Sequence, residues 1–319
     1  AYMGRRGMGA LEFKPARGAH RESAEPLAMK SLVESARRII RADLQAQAAL
    51  ANIIRVGTSA GGARAKAVVA WHPQTGEIRS GQFDAAPGFE HWLLKFDGVG
   101  KDAELGGSAD YGRIEYAYHL MATAAGIRMS PCRLLEESGR AHFMTRRFDR
   151  DVVDGVTTRH HVQTLCAMSH VDYKQRATHA YAQLFMAVAR LGLGDEAIGQ
   201  TFRRMAFNVM ARNCDDHTKN FAFRLQQGGS WELAPAYDVT YAHNPKGQWT
   251  YQHLLGVNGR FSGITRSDLL VEAERFGVRR PLDALADVGA ALAAWPEFAR
   301  QAGLAEPAVA AVGSDFEVL

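Results

Sequence analysis

The chain has 319 residues, 47% of them hydrophobic and 23% charged, which is enough for one large core or two smaller ones. Its three cysteines, Cys132, Cys166 and Cys214, are far apart and odd in number, which excludes a disulfide framework or a paired-cysteine zinc site and points to a reducing cytosol. A net charge of +4, from 38 basic against 34 acidic residues, is too mild an excess to argue for nucleic-acid binding; with no apolar run of membrane-span length and no opening signal sequence, a soluble, cytoplasmic protein is expected.

In chain order, residues Leu27 to Leu44 have helical periodicity with basic residues on the polar face. They lead into a glycine-rich segment, Val56-Gly-Thr-Ser-Ala-Gly-Gly-Ala-Arg-Ala-Lys66. Its small residues, Ser59, Ala60, Gly61, Gly62 and Ala63, allow backbone N–H groups to come close to phosphate oxygens. The segment is neither a P-loop nor a dinucleotide fingerprint, since it lacks both spacings. A strand is expected at Ala67 to Trp71. A second, within Phe89 to Asp97, surrounds Lys95 with apolar and aromatic residues, where a cation needs an anionic partner. Ser108 to Gly126 reads as a helix with a polar start, a glycine end and apolar Tyr111, Ile114, Tyr118 and Met121 on one stripe. Glu115 sits beside that stripe and is the natural partner for Lys95, because a strand lysine paired with a helix glutamate is how kinases fix the cation on nucleotide phosphates.

Residues 131 to 137 and 141 to 148 read as a hairpin about Ser138-Gly139, after which a smaller lobe, residues 1–149, ends near Asp149. Asp149 to Arg159 is the most loop-like interior segment. Ala177 to Leu191 and Glu196 to Ala211 are alanine-rich amphipathic helices of a larger lobe, residues 150–319, and Leu269 to Phe276 and Leu282 to Trp295 are helical too, the last stopping before Pro296. The arginine pairs 5–6, 37–38, 146–147, 203–204 and 279–280 are scattered, and most are expected on solvated faces. No helix-turn-helix or zinc finger is visible.

The sharpest signal is Arg-Asn-Cys-Asp-Asp-His-Thr-Lys-Asn at 212–220, followed by Ala-Tyr-Asp ending at Asp238. In phosphoryl transfer a catalytic loop places the proton-accepting aspartate five residues before an asparagine ligand of Mg²⁺, with a second metal-binding aspartate later. Asp215, Asn220 and Asp238 fit that order, and the register favours Asp215 over Asp216 as the base. A carboxylate and an amide are hard oxygen donors that leave room for phosphate and water around Mg²⁺. Cys214 is expected to pack. Glycine-rich loop, strand lysine, helix glutamate, catalytic loop and metal aspartate thus follow one another in kinase order.

Gly57-Thr-Ser-Ala-Gly-Gly-Ala-Arg-Ala-Lys66, His91-Trp-Leu-Leu-Lys-Phe96, Arg147-Phe-Asp-Arg150, Asn213-Cys-Asp-Asp-His-Thr-Lys-Asn220 and Leu233-Ala-Pro-Ala-Tyr-Asp-Val239 together resemble the HipA family of bacterial serine/threonine kinases, the toxin halves of toxin–antitoxin modules. The resemblance begins at Met8-Gly-Ala-Leu-Glu-Phe13 and runs through the C-terminal helices. It implies an α+β, two-lobed protein-kinase-like fold, with a small mixed α/β N-lobe and a larger, mostly helical C-lobe, using ATP and Mg²⁺.

By this resemblance Asp215 is the base, Asn220 and Asp238 hold the metal, His217 and Lys219 contact phosphate, and Lys95 meets the nucleotide. Arg146 to Phe148 would form the hinge against adenine, Asp149 would approach the ribose, and Tyr237 would pack near the base. Ser59 falls where the family autophosphorylates, a modification that expels the glycine-rich loop; a dianion there would repel nucleotide phosphates. The implied partners are a small helix-turn-helix, HipB-like antitoxin and a protein substrate such as an aminoacyl-tRNA synthetase, with DNA reached only through the antitoxin and no membrane involved. The chain departs from the family at Ala65, where proline is frequent, at Arg146, and in lacking roughly a hundred residues before Met8, a span sufficient for a small domain; a fragment or a separately encoded small domain is expected. Two other readings stay open: a small-molecule, antibiotic-type phosphotransferase, and an inactive nucleotide-binding module.

Overall fold

The computed structural model describes residues 7–13, 66–97, 110–137 and 139–319. The helix expected at Leu27 to Leu44 and the glycine-rich loop, with Ser59, Ala60, Gly61, Gly62 and Ala63, lie outside the described residues. The chain divides into two compact units. Of the described residues, the first unit contains 7–13, 66–97, 110–112 and 131–162, apart from 138, and the second 113–130 and 163–319.

The first unit is built on an antiparallel sheet of β1 (Lys66–Trp71), β2 (Ile78–Ser80), β3 (Glu90–Lys95), β4 (Cys132–Glu137) and β5 (Arg140–Arg146), in the order β2-β1-β3-β5-β4. β1 is buried along almost its whole length, as its run Ala-Val-Val-Ala-Trp requires of a strand covered on both faces. β1 and β3 pair so that Lys66 stands opposite Lys95, and β3 sets Lys95 opposite Phe143 of β5. The β4–β5 hairpin turns at Gly139, whose φ of 78° is left-handed.

Beyond it, the segment expected as a loop is a hairpin of β6 (Arg150–Val153) and β7 (Val156–Arg159). Its turn is Asp154-Gly155, with φ of 50° and 78°. Two consecutive left-handed residues match the right-handed twist of a two-residue hairpin, so Asp-Gly between valine-rich arms is a strand signal and not a loop signal. Residues Gly7 to Gly9 are tied to this unit through Asp149 and Arg150: the Gly9 amide donates to Asp149 Oδ2 at 2.7 Å, and Arg150 donates to the Gly9 and Gly7 carbonyls.

The second unit is mainly helical. Its elements are α1 (Tyr111–Ala124, from Arg113 onward), α2 (Leu165–Met168), α3 (Tyr181–Arg190), α4 (Gly194–Met210), α5 (Arg266–Arg275), α6 (Pro281–Ala293), α7 (Trp295–Gln301) and α8 (Glu306–Gly313). The chain enters it along β8 (His161–Thr164), and short strands β9 (His179–Ala180), β10 (Ala222–Leu225), β11 (Trp231–Leu233) and β12 (Leu255–Gly256) complete it. The core joins Tyr118, Tyr181, Phe185, Phe207, Leu269 and Trp295; each such side chain removed from water contributes about 1.5–3 kcal/mol. Phe185 of α3 stacks on Phe276 at 4.6 Å.

Thr265 caps α5 by accepting from Asp268 N, while Asp268 accepts the Thr265 amide in return, a reciprocal box that fixes where the helix starts. Pro296 does not merely end the preceding helix as expected. α6 stops at Ala293, and Trp295 and Pro296 begin α7, because proline is tolerated in a first turn whose N–H groups need no helical partner.

Candidate active site

The catalytic-loop residues are gathered by the second unit alone. Helix α4 ends at Met210, and Arg212 takes a left-handed φ of 55° so that Asn213 N reaches back to the Asn208 carbonyl at 2.9 Å. This is the six-to-one closure that stops a helix and turns the chain sharply, here on an arginine where glycine is usual. Asn213 and Cys214 are then held beside Ala242, whose carbonyl accepts from Cys214 N at 3.0 Å.

Asp215 and Asp216 point to different worlds. The Asp215 side chain is 49% exposed, with His217 Nε2 at 3.9 Å from its Oδ1. Asp216 is fully buried, and its two oxygens accept from Leu254 N, Leu255 N and Tyr181 Oη, with His253 Nδ1 also within bonding distance. Of the two adjacent carboxylates, only Asp215 can meet a substrate hydroxyl. Thr218–Asn220 makes one tight helical turn, and Asn220 Nδ2 donates to the Asp215 carbonyl at 2.7 Å. The amide nitrogen being so used, Oδ1 is the atom left to face a cation.

Asp238 follows the β10–β11 hairpin. Ala234 N donates to the Ala222 carbonyl and Ala236 N to Arg128 O, which carries the chain into a left-handed φ of 56° at Asp238. Strain at a non-glycine residue persists only where the surroundings over-determine it, and such residues gather at functional sites. Asp238 and Asn220 line one small cavity with Asn213, Tyr237 and Arg204. Tyr237 Oη donates to the Lys219 carbonyl, so the Asp238 segment and the 212–220 loop are bonded to each other. Lys219 is exposed, its Nζ 3.5 Å from the Tyr173 ring centroid, and Tyr173 packs edge-on to His217.

Among the described residues no three His, Cys, Asp or Glu side chains cluster as an ion site. Asn220 and Asp238 nevertheless fit Mg²⁺, which takes few protein oxygens and completes its shell with phosphate and water.

Arg204 was expected, with Arg203, on a solvated face, yet it is 3% exposed. It reaches the Ala234 carbonyl at 2.8 Å, and burial, with Arg128 nearby, lowers its pKa to about 9. A buried cation beside this cavity was invisible in the sequence because its position on α4 is polar by pattern only. Arg147, similarly, is buried.

In the first unit Lys95 is 5% exposed, with Nζ 5.7 Å from the Phe143 ring. Lys66, passed over in the sequence, stands opposite it. Glu115, 1% exposed on α1, belongs to the second unit, and its pairing with Lys95 is a proposal.

Arg146 is half-buried and lies 3.6 Å from Glu90, and Phe148 follows as half-buried. Asp149 is 4% exposed; its oxygens receive two bonds from Arg147, one from Arg150 and the Gly9 amide. Burial alone would raise its pKa, but the two arginines and the amide hold it down to about 2. The carboxylate expected at a ribose is bonded within its own unit, to Arg147, Arg150 and the Gly9 amide.

A family model described as the HipA-like C-terminal domain matches residues 58–313. No curated protein matches the chain. Among solved structures, HipA of Shewanella oneidensis MR-1, in a complex with HipB and its operator DNA, superposes with a TM-score of 0.69 at 16% identity, over 98% of this chain and 75% of that one. The Helicobacter pylori proinflammatory kinase CtkA gives 0.42 at 10% identity, over 71% of this chain and 88% of that one.

Proposed function

Because the chain belongs to the HipA-like C-terminal domain family, we propose that it is an ATP- and Mg²⁺-dependent kinase that phosphorylates a serine or threonine hydroxyl on a protein. The observation that carries the reading is the single bonded loop in which Asp215 projects outward, Asn220 closes on the Asp215 carbonyl, and Asp238 shares a cavity with Asn220. Asp215 accepts the proton of the attacking hydroxyl. The hydroxyl oxygen bonds to the γ-phosphorus as the bridge to the β-phosphate breaks, and ADP leaves. Asn220 and Asp238 would hold Mg²⁺, which spreads the charge of the transferring group. Lys95 and Lys219 add cations, and His217 beside Asp215 can donate to a phosphoryl oxygen. Arg146 to Phe148 would flank adenine, with Tyr237 near it.

In this reading Ser59 is the autophosphorylated residue, and a small HipB-like antitoxin restrains the toxin and links it to DNA. The neighbouring HipA was solved with just such partners. A translation component such as an aminoacyl-tRNA synthetase is the proposed substrate. The two compact units, with Arg113–Ser130 in the second and the β6–β7 hairpin in the first, would act as the kinase lobes expected at 1–149 and 150–319.

The test is to incubate the purified, phosphatase-treated chain with ATP and Mg²⁺ beside Asp215→Asn and to map phosphate by peptide mass spectrometry. Phosphate on Ser59 in the wild type, reduced by about 10²-fold or more in the variant as expected for loss of a general base, supports the reading. No phosphate on any serine or threonine of an unmodified starting protein overturns it.

A further inference from the structure

The Asp216 carboxylate, which borders the same small cavity as Asn220 and Asp238, is the centre of a buried network. Asn213 Nδ2 donates to Asn208 Oδ1 at 2.9 Å, Asn208 Nδ2 to Tyr181 Oη at 2.9 Å, and Tyr181 Oη to Asp216 Oδ2 at 2.7 Å. From the opposite side His253 Nδ1 lies 2.9 Å from the same oxygen, with its Nε2 3.8 Å from Cys214 Sγ. The amides of Leu254 and Leu255 take Oδ1 at 2.7 and 3.2 Å. Every side chain in this chain of bonds is nine-tenths buried or more.

The network draws on α3, on α4, on the catalytic loop and on the segment entering β12. Burial raises the Tyr181 pKa well above its usual value, with Asp216 adding to the effect, so the phenol remains a donor. Burial would lower His253, but the adjacent Asp216 prevails and pushes it up to about 10, so the imidazolium also remains a donor at neutral pH. A buried carboxylate given four donors is a fixed point, and its main chain is that of the base's immediate neighbour.

We propose that Tyr181 and His253 are positioning residues for phosphoryl transfer: by gripping Asp216 from two sides they fix the backbone from which Asp215 projects and from whose carbonyl Asn220 hangs. The proposal rests on the kinase reading for its catalytic consequence, but not for its structural one. Asn220 is bonded to the Asp215 carbonyl, so a shift of the Asp215 peptide moves the base and a metal ligand together. Misplacing reacting groups by an ångström is costly to turnover even when substrate still binds.

The experiment compares the full chain with Tyr181→Phe and His253→Gln. Steady-state transfer is measured in each, together with amide NMR of Asp215 to Asn220, after thermal melts establish that each variant is folded at the assay temperature. The expected result is a fall in kcat of about 10- to 100-fold, with the nucleotide KM held within about twofold, and displaced amide resonances across 215–220. Unchanged kcat in a folded variant, or a loss confined to KM, overturns the proposal. If His253→Gln does not fold, Tyr181→Phe, which removes one oxygen and keeps the ring, decides alone. If the wild type itself transfers no phosphate, the kinase reading fails separately; displaced 215–220 amides then still support the positioning claim, and undisturbed ones refute it.

Discussion

At the scale of single residues, the two neighbouring aspartates show how burial divides labour between identical side chains. Asp215 keeps half its surface and can meet a hydroxyl, whereas Asp216 is sealed under four donors. The five-residue spacing to Asn220 was legible from the sequence because it reflects one tight turn. The partners of Asp216 were not, since Tyr181 and His253 lie 35 and 37 residues away along the chain and only tertiary packing joins them. The His253 ion pair has a pH signature. Its pKa is raised to about 10 from the ordinary 6.5, so its contribution to stability is complete below about pH 6.5 and fades as pH rises through about 10. Thermal melts of the wild type and His253→Gln should therefore differ most near pH 6 and converge toward pH 10. Cys214 and Asp216 are the titratable groups facing the ring, so a gap that instead widened with pH would show that the imidazole is buried neutral.

At the scale of elements, short apolar runs, turn signals and helical periodicity identified the strands β1 and β3, the β4–β5 hairpin and the helices α1, α3, α4, α5 and α6 to within a few residues at their ends. What escaped were elements whose signals are short or shared. Asp154-Gly155 was read as a loop although it is a hairpin turn, and Pro296 as a stop although it opens a helix. The β10–β11 hairpin that presents Asp238 has arms of four and three residues, too short for alternation to register. Close packing leaves no room for a side chain at several glycines of the sheet unit, Gly112 and Gly81 among them. Gly81, just after β2, donates its amide to the Val68 carbonyl, and a Cβ there would lie 2.7 Å from both the main-chain N and C of Val69. Backbone of a central strand cannot yield as a side chain can, so Gly81→Ala should destabilise the protein by about 1–3 kcal/mol, the usual cost of overpacking. Chemical denaturation would measure it, and a loss below a few tenths of a kcal/mol would mean that β2 shifts freely over β1.

At the scale of the whole molecule, the chain divides into two units that are folded by different means. The sheet unit sets Lys66 opposite Lys95 and ties its own early residues down through the Asp149–Arg147–Arg150 cluster. Breaking a buried ion pair of this kind costs about 3–5 kcal/mol. The helical unit carries Asp215, Asn220 and Asp238, the residues proposed as base and metal ligands, and the network around Asp216. Among the described residues no helix is long and apolar enough to cross a membrane.

Cys214 lies at the heart of the helical unit and is wholly buried, whereas Cys132 and Cys166 are partly exposed. That difference makes the thiol a built-in clock for the opening of the catalytic loop. A thiol-reactive reagent should modify Cys132 and Cys166 promptly and Cys214 only when its surroundings come apart, so the rate at Cys214 reports how often the loop is exposed. Nucleotide that binds only the closed loop should slow that rate, and labelling of Cys214 as fast as the other two would show that the loop breathes freely. A single side chain with no part in the chemistry would then time the fluctuations of the machinery around it.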